Sequence, residues 1–209
     1  MTTSTFEYEL RRRAEVAGLS LPIDFAIRAE RYYELLQHWN KTTNLTALPL
    51  NGYPAKSLDR LLIEPLHAAE LLPDNLPFHC LDVGSGGGSP AIPVAIARPL
   101  VKMSMVESVA KKSAFLREAV RLVALQGAEV VTARAEELVS SHHDTFDLIL
   151  IRAVSVNHKL SNALEEMLKP GGKLFVFGGS PEFGGSVWRL NQRRQLSQDN
   201  ELQVFEAGS

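Results

Sequence analysis

Apolar positions in the first third of the chain recur at mixed spacings of three and four residues, most clearly over residues 26–36. This period is typical of helices that bury one face, and no segment of this region alternates as a strand would. Gly18 is placed to end a first helix, Pro22 to begin a second, and Pro65 to interrupt a third. The pattern therefore predicts a helical N-terminal extension over residues 1–73.

Short β-branched runs alternate with helical patterns beyond residue 73, which is typical of parallel strands joined by right-handed helical crossovers. The predicted elements are the strands Phe78–Val83, Lys102–Val106, Val130–Thr132, Phe146–Ile151 and Lys173–Phe177 and the helices Ser89–Ala97, Ala110–Leu125, Arg134–Val139 and Asn157–Leu168. Two further strands, Ser186–Arg194 and Glu201–Ala207, are joined by a polar turn and predict an antiparallel finish. Residues 74–209 are therefore predicted to form an α/β domain with a mostly parallel seven-stranded sheet, whose ligand lies at the carboxyl ends of the strands.

The first of these strands leads into a glycine-rich loop, because residues 80–90 read Cys-Leu-Asp-Val-Gly-Ser-Gly-Gly-Gly-Ser-Pro. Glycines let the backbone turn sharply and approach a ligand, and the start of the next helix offers unpaired N–H groups and the positive end of a dipole. Ser89 is predicted as the N-cap of that helix and Pro90 as its first residue. The pattern indicates a cofactor loop of the nucleotide type, with a purely structural turn as the alternative.

The residues around this loop narrow the choice of cofactor. A dinucleotide fingerprint has a glycine where Ser89 stands, whereas Asp82 followed by alternate glycines resembles the first motif of class I S-adenosylmethionine-dependent methyltransferases. Glu107 ends the second strand, where a carboxylate can accept both hydroxyls of a ribose; it could also be an exposed acid or a helix cap. A carboxylate that binds ribose hydroxyls would serve NAD as well as S-adenosylmethionine. Glu107 therefore indicates a nucleoside but does not distinguish between these two cofactors.

Two more strand ends contribute candidate site residues. Glu136 follows the third strand, where a methyltransferase would present an acid to the adenine edge, although a first-turn helix acid favoured by the dipole fits as well. The fourth strand is an apolar run that ends in Arg152 at the expected ligand mouth. A guanidinium there can pair with a carboxylate or a phosphate, so Arg152 could hold the methionine end of the cofactor or the substrate backbone.

A longer signature lies in the helical extension, where residues 39–47 read Trp-Asn-Lys-Thr-Thr-Asn-Leu-Thr-Ala after a Tyr-Glu-Leu-Leu run. Together with residues 92–96, 111–116, 134–136 and 152–153, this signature resembles the small-subunit ribosomal RNA guanine-N7 methyltransferases, also called the glucose-inhibited division protein B family. The resemblance covers nearly the whole chain. The tryptophan–asparagine run carries it more specifically than the glycines do.

The resemblance implies a Rossmann-like class I fold that transfers a methyl group from S-adenosylmethionine to guanine N7 in the decoding-region loop of 16S ribosomal RNA. The cofactor contacts expected from the resemblance and the loop pattern are Asp82, Gly84, Ser85, Gly86, Ser89, Glu107, Ala135, Glu136 and Arg152. Arg152 is also expected to position the reactants, and the residues expected to contact RNA are Asn44, Lys111 and Lys112. The segment around Asn44 could equally be only a helix end with a side-chain cap.

The chain departs from the family pattern in two segments. Residues 60–66 stand where the family commonly has Arg-His-x-x-Asp-Ser-Leu, so that Leu61 replaces the histidine and Glu64 replaces the aspartate. A role for that histidine is therefore not transferred to this chain. Residues 177–179, after the fifth strand, lack the lysine that the family often has there, so no cation is expected from that loop.

Methylation of guanine N7 needs no general base, since this nitrogen carries an in-plane lone pair and no proton; positioning can supply most of the catalysis. The sequence agrees, because it has no evident acid–base pair and its six histidines are scattered without metal-ligand spacing. No Asn/Asp-Pro-Pro-Tyr motif follows the fourth strand, which disfavours amine methylation. Cys80 lies on the wrong side of the loop to be the nucleophile of cytosine C5 methylation, and no metal site is expected.

Composition limits the partners. A formal net charge of −2 argues against coating of nucleic acid by bulk electrostatics and leaves room for local basic patches. The single cysteine fits a reducing compartment, and no segment reaches membrane-spanning length. We therefore expect a cytoplasmic monomer whose partner is 16S ribosomal RNA or the small ribosomal subunit, with no DNA or membrane partner.

Three other functions stay open at this point. A methyltransferase of a small molecule or a protein would use the same cofactor loop. A non-catalytic ribosome assembly or RNA-binding factor could keep the fold without turnover. An NAD-linked oxidoreductase is the least favoured, because the third glycine of its fingerprint is missing.

Overall fold

The protein is described by a computed structural model that covers residues 4–179, 181, 183 and 188–208. The helical N-terminal unit comprises α1 (Thr5–Val16), α2 (Phe25–Asn40), α3 (Ala55–Leu58), a π-helical segment (Asp59–Ile63) and α4 (Glu64–Ala69). The elements that follow are β1 (Phe78–Val83), α5 (Ala91–Ala97), β2 (Val101–Val106), α6 (Ala110–Leu122), β3 (Ala128–Val131), two 3-10 turns (Ala135–Glu137 and Val139–Ser141), β4 (Phe146–Arg152), α7 (His158–Met167), β5 (Leu168–Phe177), β6 (Trp188–Ser197) and β7 (Asn200–Ala207).

The strands form one seven-stranded sheet in the order β3-β2-β1-β4-β5-β7-β6. The strands β1 to β5 run parallel, and β7 lies antiparallel between β5 and β6. The mostly parallel sheet predicted from the sequence is therefore confirmed, including its antiparallel finish. Because the parallel strands all end at one edge, the residues that follow β1, β2, β3 and β4 are gathered there.

Several predicted boundaries are wrong. The third strand is Ala128–Val131 instead of Val130–Thr132. The predicted helix Arg134–Val139 is a pair of 3-10 turns, a form favoured in pieces too short for an α-helix. The first two residues of the predicted strand Ser186–Arg194 lie outside the described part of the chain, as does much of the glycine-rich loop at 178–185.

Local capping sets the ends of the first helices. The Ser4 hydroxyl accepts an N–H of the first turn of α1 (3.1 Å), and Gly18 follows the end of α1 with a φ of +69°, as predicted. The second helix begins at Phe25 with Asp24 as its N-cap residue. The prediction that Pro22 begins this helix is therefore wrong by most of a turn, because the Pro22 carbonyl accepts the Phe25 N–H (3.1 Å) from outside the helix.

The predicted interruption at Pro65 takes the form of a π-helical turn within a continuous helical segment. The N–H of Glu64 donates to the carbonyl of Asp59, five residues earlier, and Pro65 has no N–H to donate. The carbonyls of Arg60 and Leu61 therefore lose these two helical donors. Both carbonyls accept side-chain donors from the sheet domain instead.

Apolar residues pack on both faces of the sheet. One cluster includes Tyr32 of α2, Ile92 of α5 and Phe115 of α6, and the other includes Leu164 of α7. Cys80 is fully buried in the first cluster, where it packs as a small apolar side chain. Apolar residues on both sides of residue 73 share this first cluster, and the division of the chain at that residue stays a prediction.

Candidate cofactor site

The glycine loop joins β1 to α5 at the carboxyl edge of the sheet. The N–H groups of Gly84 and Ser85 donate to the carbonyl of Val106 (2.8 and 3.1 Å), which anchors the loop to the end of β2. Gly84 has a φ of +70°, and a Cβ there would lie 2.8 Å from Cγ2 of Val154. Any larger residue would strain the backbone and collide with Val154, so the turn requires glycine at this position.

Ser89 does not cap the following helix, and this prediction is wrong. The helix begins at Ala91, with Pro90 before it instead of in its first turn. The Ser89 hydroxyl donates to the carbonyl of Leu61 (2.8 Å) and accepts Nη1 of Arg152 (3.1 Å). Its hydrogen bonds thus link the glycine loop to the π-helical segment, which explains why it is not available to the helix start.

Glu107 follows β2 and is 6 % exposed. Its Oε2 accepts the N–H of Gly86 (3.0 Å) and its Oε1 accepts the N–H of Val109 (2.8 Å), just before α6. The carboxylate therefore ties the glycine loop to the start of α6. Each oxygen keeps a second lone pair, so the predicted contact with ribose hydroxyls remains chemically possible.

Arg152 ends β4 with a side chain that is 10 % exposed. Its Nη1 donates to the carbonyl of Arg60 and to Ser89 Oγ (3.1 Å), and its Nη2 donates to Glu64 Oε2 (3.0 Å). The guanidinium also lies 4.5 Å from the centre of the Phe177 ring, within cation–π distance. Burial lowers the pKa of Arg152 to about 10, against the opposing effect of Glu64, so the side chain stays charged at neutral pH.

Glu64 is the counter-charge of this cluster and is 1 % exposed. Its Oε2 accepts Nη1 of Arg60 (2.8 Å) as well as Nη2 of Arg152, and its Oε1 accepts the hydroxyl of Ser197 (3.3 Å). The cluster joins the N-terminal unit, the end of β4 and the β6–β7 turn. One carboxylate balances two guanidinium groups, which leaves an excess of one positive charge.

Four buried side-chain atoms have no hydrogen-bond partner within the described residues, and two of them, Asp82 Oδ2 and Arg152 Nε, lie together at this edge. Asp82 pairs in register with Leu150, so both atoms belong to the ends of the adjacent strands β1 and β4. Burial raises the pKa of the Asp82 carboxyl to about 7, against the smaller opposing effects of the Ser85 hydroxyl and Arg152. Buried polar atoms are rarely left unpaired, so these two indicate a ligand.

An amino acid group supplies what both atoms lack. Its carboxylate accepts from an N–H such as Arg152 Nε, and its ammonium donates to an oxygen such as Asp82 Oδ2. The methionine end of S-adenosylmethionine carries these two groups. The residues present therefore fit the cofactor that the sequence predicts.

Ala135 and Glu136 lie in the first 3-10 turn after β3, at the same edge of the sheet. Ala135 is buried and Glu136 is half-buried. The N–H of Glu107 donates to the carbonyl of Val131 (3.1 Å), which holds the end of β3 beside that of β2. The predicted contact of Ala135 and Glu136 with adenine stays a prediction.

The tryptophan–asparagine signature contains one structural and one exposed asparagine. Asn40 Oδ1 accepts the N–H groups of Leu45 and Thr46 (2.9 and 3.0 Å), and its Nδ2 donates to the carbonyl of Thr46 (3.0 Å). The loop so held packs on the glycine loop, since a Cβ on Gly87 would lie 3.1 Å from the Leu45 oxygen. Asn44 is exposed in this loop, and its contact with RNA stays a prediction.

The two lysines predicted to contact RNA lie at the start of α6. Lys111 Nζ donates to the carbonyl of Thr42 (2.7 Å), which connects α6 to the signature loop, and Lys112 is half-buried. An ammonium group has three hydrogens, so Lys111 keeps two for a phosphate. The role of both lysines stays a prediction.

The sequence analysis did not identify three residues of this site: Tyr32, Arg60 and Glu64. The buried hydroxyl of Tyr32 donates to the carbonyl of Gly87 (2.6 Å) in the glycine loop. For Glu64 the sequence carries a signal, because a lone acid in the apolar helical run 61–69 is buried only if it is paired. For Tyr32 there is no such signal, since it fits the apolar face of its helix.

Replacing Tyr32 by phenylalanine should weaken cofactor binding at little cost in stability. The variant loses one buried hydrogen bond to the glycine loop, worth about 1 kcal/mol. Tyr33→Phe is the matched control, because the Tyr33 hydroxyl donates to the carbonyl of Leu50 (3.1 Å), outside that loop. Thermal melts should show a similar small loss in both variants, whereas calorimetric titration with S-adenosylmethionine should show weaker binding only in Tyr32→Phe. Equal affinities in the two variants would contradict a role of Tyr32 in the loop.

Asp82→Asn should change how stability depends on pH. The pKa of this carboxyl rises from 3.8 to about 7 on folding, so the folded state keeps a proton that the unfolded state releases between these values. The stability that the protonated Asp82 carboxyl contributes to the folded state is therefore fully present below pH 3.8 and is lost as pH rises towards 7. Without ligand, the melting temperature of Asp82→Asn should therefore rise relative to that of the parent as pH increases from 3.8 to about 7.

Asp147→Asn provides the control of opposite sign. Although burial opposes it, the N–H of His79 and the ammonium of Lys169 hold the pKa of Asp147 below its usual value. The parent therefore gains stability from this carboxylate as pH rises, and the variant should lose melting temperature relative to the parent. A constant difference between Asp82→Asn and the parent at every pH would show that Asp82 does not titrate in this range.

Within the described ranges, no three or more His, Cys, Asp and Glu side chains come together as a metal site. No helix among the described residues is long and apolar enough to cross a membrane.

Comparison with known proteins gives consistent relatives. The sequence model of the GidB family, described as rRNA small subunit methyltransferase G, matches residues 27–205. A ribosomal RNA small subunit methyltransferase G from Xanthomonas campestris pv. campestris is 38% identical over 162 residues, which cover 77% of this chain and 72% of the relative. The protein of the same name from Stenotrophomonas maltophilia is 36% identical over 166 residues, covering 78% and 74%.

Solved structures share the fold at low sequence identity. A SAM-dependent methyltransferase from Aquifex aeolicus aligns with a TM-score of 0.58 at 17% identity, over 72% of this chain and 92% of that one. A variant of MtNAS, solved in complex with S-adenosylmethionine, aligns with a TM-score of 0.59 at 10% identity, over 97% and 73%. The predicted class I methyltransferase fold is therefore confirmed.

Proposed function

The chain belongs to the GidB family of ribosomal RNA small subunit methyltransferases, and we propose that it transfers the methyl group of S-adenosylmethionine to N7 of a guanine in 16S ribosomal RNA. The observation that best supports the cofactor is the pair of unmatched buried atoms, Asp82 Oδ2 and Arg152 Nε. The names of the relatives support the RNA substrate. We propose that the target guanine lies in the decoding-region loop. We further propose that the protein acts in the cytoplasm, as a monomer, on 16S ribosomal RNA or the small ribosomal subunit.

The residues at the sheet edge divide the work of cofactor binding. Arg152 and Asp82 would bind the carboxylate and the ammonium of the methionine end, and Glu107 would accept hydrogen bonds from the ribose hydroxyls. The turn with Ala135 and Glu136 would bind the adenine. Bound S-adenosylmethionine supplies a methyl group on a sulfonium, which a neutral nitrogen can take without further activation.

The chain contributes catalysis by orientation. Guanine N7 presents a lone pair and no proton, so the reaction needs no side chain to act as a general base. Fixing the base and the methyl group in line supplies most of the rate increase. The rigid hold on Arg152 from Glu64, Ser89 and the Arg60 carbonyl serves this purpose, because it fixes one end of the cofactor.

A cavity beside the glycine loop suits the target base. Its volume is about 450 Å³, and it lies where β4 and β5 end, lined among others by Ala153, Val154, Ser155 and Gly178. Val154 also touches the position of a Cβ on Gly84, so the cavity adjoins the cofactor loop. We assign the guanine to this cavity and the flanking RNA to the exposed Asn44 and to Lys111 and Lys112.

Methyl transfer from labelled S-adenosylmethionine to small ribosomal subunits that lack the modification tests the function. Free 16S RNA is assayed in parallel, and mass spectrometry locates the methylated nucleotide. We expect label at one guanine N7 in the decoding region, in at least one of the two substrates. Binding of the cofactor without transfer to either substrate would favour an assembly factor or a different substrate. Binding of NAD without binding of S-adenosylmethionine would overturn the cofactor assignment.

A further inference from the structure

A second cavity, of about 730 Å³, lies outside the cofactor site, between the N-terminal helical unit and the β6–β7 turn. The charged residues that line it are Arg13, Lys56, Asp59, Arg60, Glu64 and Asp199. We call it the basal groove. Arg60 and Glu64 belong both to the groove and to the cluster that holds Arg152, so the groove begins at the cofactor site.

The charges of the groove do not cancel on its inner wall. Arg13 is paired with Asp59 through Nε and Oδ1 (2.7 Å), so these two charges balance. Arg60 is paired with Glu64 through Nη1 and Oε2 (2.8 Å), so these two charges balance as well. Lys56, whose side chain is exposed, therefore leaves the inner wall with one positive charge in excess.

The opposite wall carries less charge. This wall is formed by the β6–β7 turn. Among the described residues of that turn, Asp199 is the one acid that lines the groove. His67 also lines the groove, and burial, together with the charge of Arg194, lowers the pKa of its imidazole against the smaller opposing effect of Glu70. The charged residues of the whole lining balance, and the excess cation Lys56 lies on the inner wall, so that wall is the side of the groove that attracts an anion.

Arg60 reaches from this groove to the cavity assigned to the guanine. Its Nη2 lies 3.4 Å from the position of a Cβ on Gly178, at the carboxyl end of β5, and Gly178 lines that cavity. The Arg60 side chain is 25 % exposed and uses Nη1 for Glu64. A guanidinium has five N–H groups, so Arg60 can bind a further anion without releasing Glu64.

We propose that the basal groove binds the phosphate backbone of the RNA strand next to the target guanosine, with Arg60 at the inner end and Lys56 further out. This inference rests on the proposed function. A base in the cavity lined by Gly178 would bring its own phosphates close to the guanidinium of Arg60, which lies beside Gly178. Phosphate contacts set the position of a nucleic acid without reading its sequence, which is what a site for one target base requires from its flanks.

Charge-neutralising variants test the groove. Lys56→Gln and Arg60→Gln should each lower the slope of log affinity against log salt for 16S RNA by about 1. Each should raise the KM for small subunits about three- to tenfold, while Lys56→Gln leaves the affinity for S-adenosylmethionine unchanged. Lys102→Gln is the matched control, because Lys102 is exposed near the start of β2, at the opposite edge of the sheet. Asp199→Asn should strengthen RNA binding, since it removes the acid on the facing wall.

The outcomes separate this inference from the proposed function. If the parent methylates 16S RNA but Lys56→Gln and Arg60→Gln match Lys102→Gln in salt slope and KM, the groove does not bind RNA and only this inference falls. If the parent binds S-adenosylmethionine and transfers no methyl group to RNA, the proposed function falls and this inference with it. Arg60 also belongs to the Glu64 cluster, so Arg60→Gln could fold poorly for a reason unrelated to RNA. In that case Lys56→Gln, which changes an exposed side chain, decides the result.

Discussion

Arg152→Ala should lower methyl transfer by about 10- to 150-fold and still yield a folded protein. The variant removes the guanidinium that we propose binds the cofactor carboxylate, a charge-assisted contact worth about 1.5–3 kcal/mol. It also removes the donor to Ser89 and to the Arg60 carbonyl, so the glycine loop loses one of its links to the N-terminal unit. Calorimetric titration with S-adenosylmethionine and initial rates on small subunits would measure the two effects separately.

Arg98→Ala is the control for this variant. Arg98 is similarly buried, with 14 % of its side chain exposed, and it pairs with Asp74 (3.1 Å) after the end of α5. Its loss should cost stability and leave the affinity for S-adenosylmethionine unchanged. Parental turnover in Arg152→Ala would exclude Arg152 from the site, whatever the control does.

Glu64→Gln should cause the largest loss of stability among the variants considered. The amide keeps the size of the side chain but leaves Arg60 and Arg152 without a counter-charge. Removing one partner from a buried ion pair costs about 3–5 kcal/mol. For a chain of 209 residues this corresponds to a fall in melting temperature of roughly 6–20 °C, measurable by calorimetry. Affinity for S-adenosylmethionine should fall as well, because Arg152 loses its fixed position.

Glu70→Gln tests whether burial is the cause. Glu70 follows α4, six residues after Glu64, and pairs with Arg194, but its side chain is 43 % exposed. Exposed ion pairs contribute at most about 1 kcal/mol, so this variant should melt within a few degrees of the parent. Similar melting temperatures for both variants would show that the Glu64 cluster is not a source of stability.

Local sequence patterns were sufficient for the sheet. The strands β1, β2 and β4 are short apolar runs bounded by turn residues, and their alternation with helices specifies parallel pairing. Glycines and the acid of the cofactor loop were predictable for the same reason, since the turn after β1 is a local event. The third strand and the 3-10 turns were displaced because segments of four to six residues carry too little pattern to fix their ends.

The polar contacts of the site depend on contacts between distant segments. Ser89 has the composition and position of an N-cap, yet it binds Leu61, 28 residues earlier. Arg152 was predicted from its place at the end of a strand, but its partner Glu64 lies 88 residues away. A local sequence pattern cannot predict such contacts between residues that are far apart in the chain. An acid within an apolar helix indicates only that some partner exists.

The π-helical turn makes part of the site independent of side-chain identity. It offers Ser89 and Arg152 two main-chain carbonyls, at positions 60 and 61, and every amino acid has such a carbonyl. A substitution at position 61 therefore leaves in place the carbonyl that accepts the Ser89 hydroxyl. Insertions and deletions have the opposite effect. One residue gained or lost before Pro65 would rotate both carbonyls by about 100° around the helix axis and disable the cofactor site while leaving each of its side chains in the sequence.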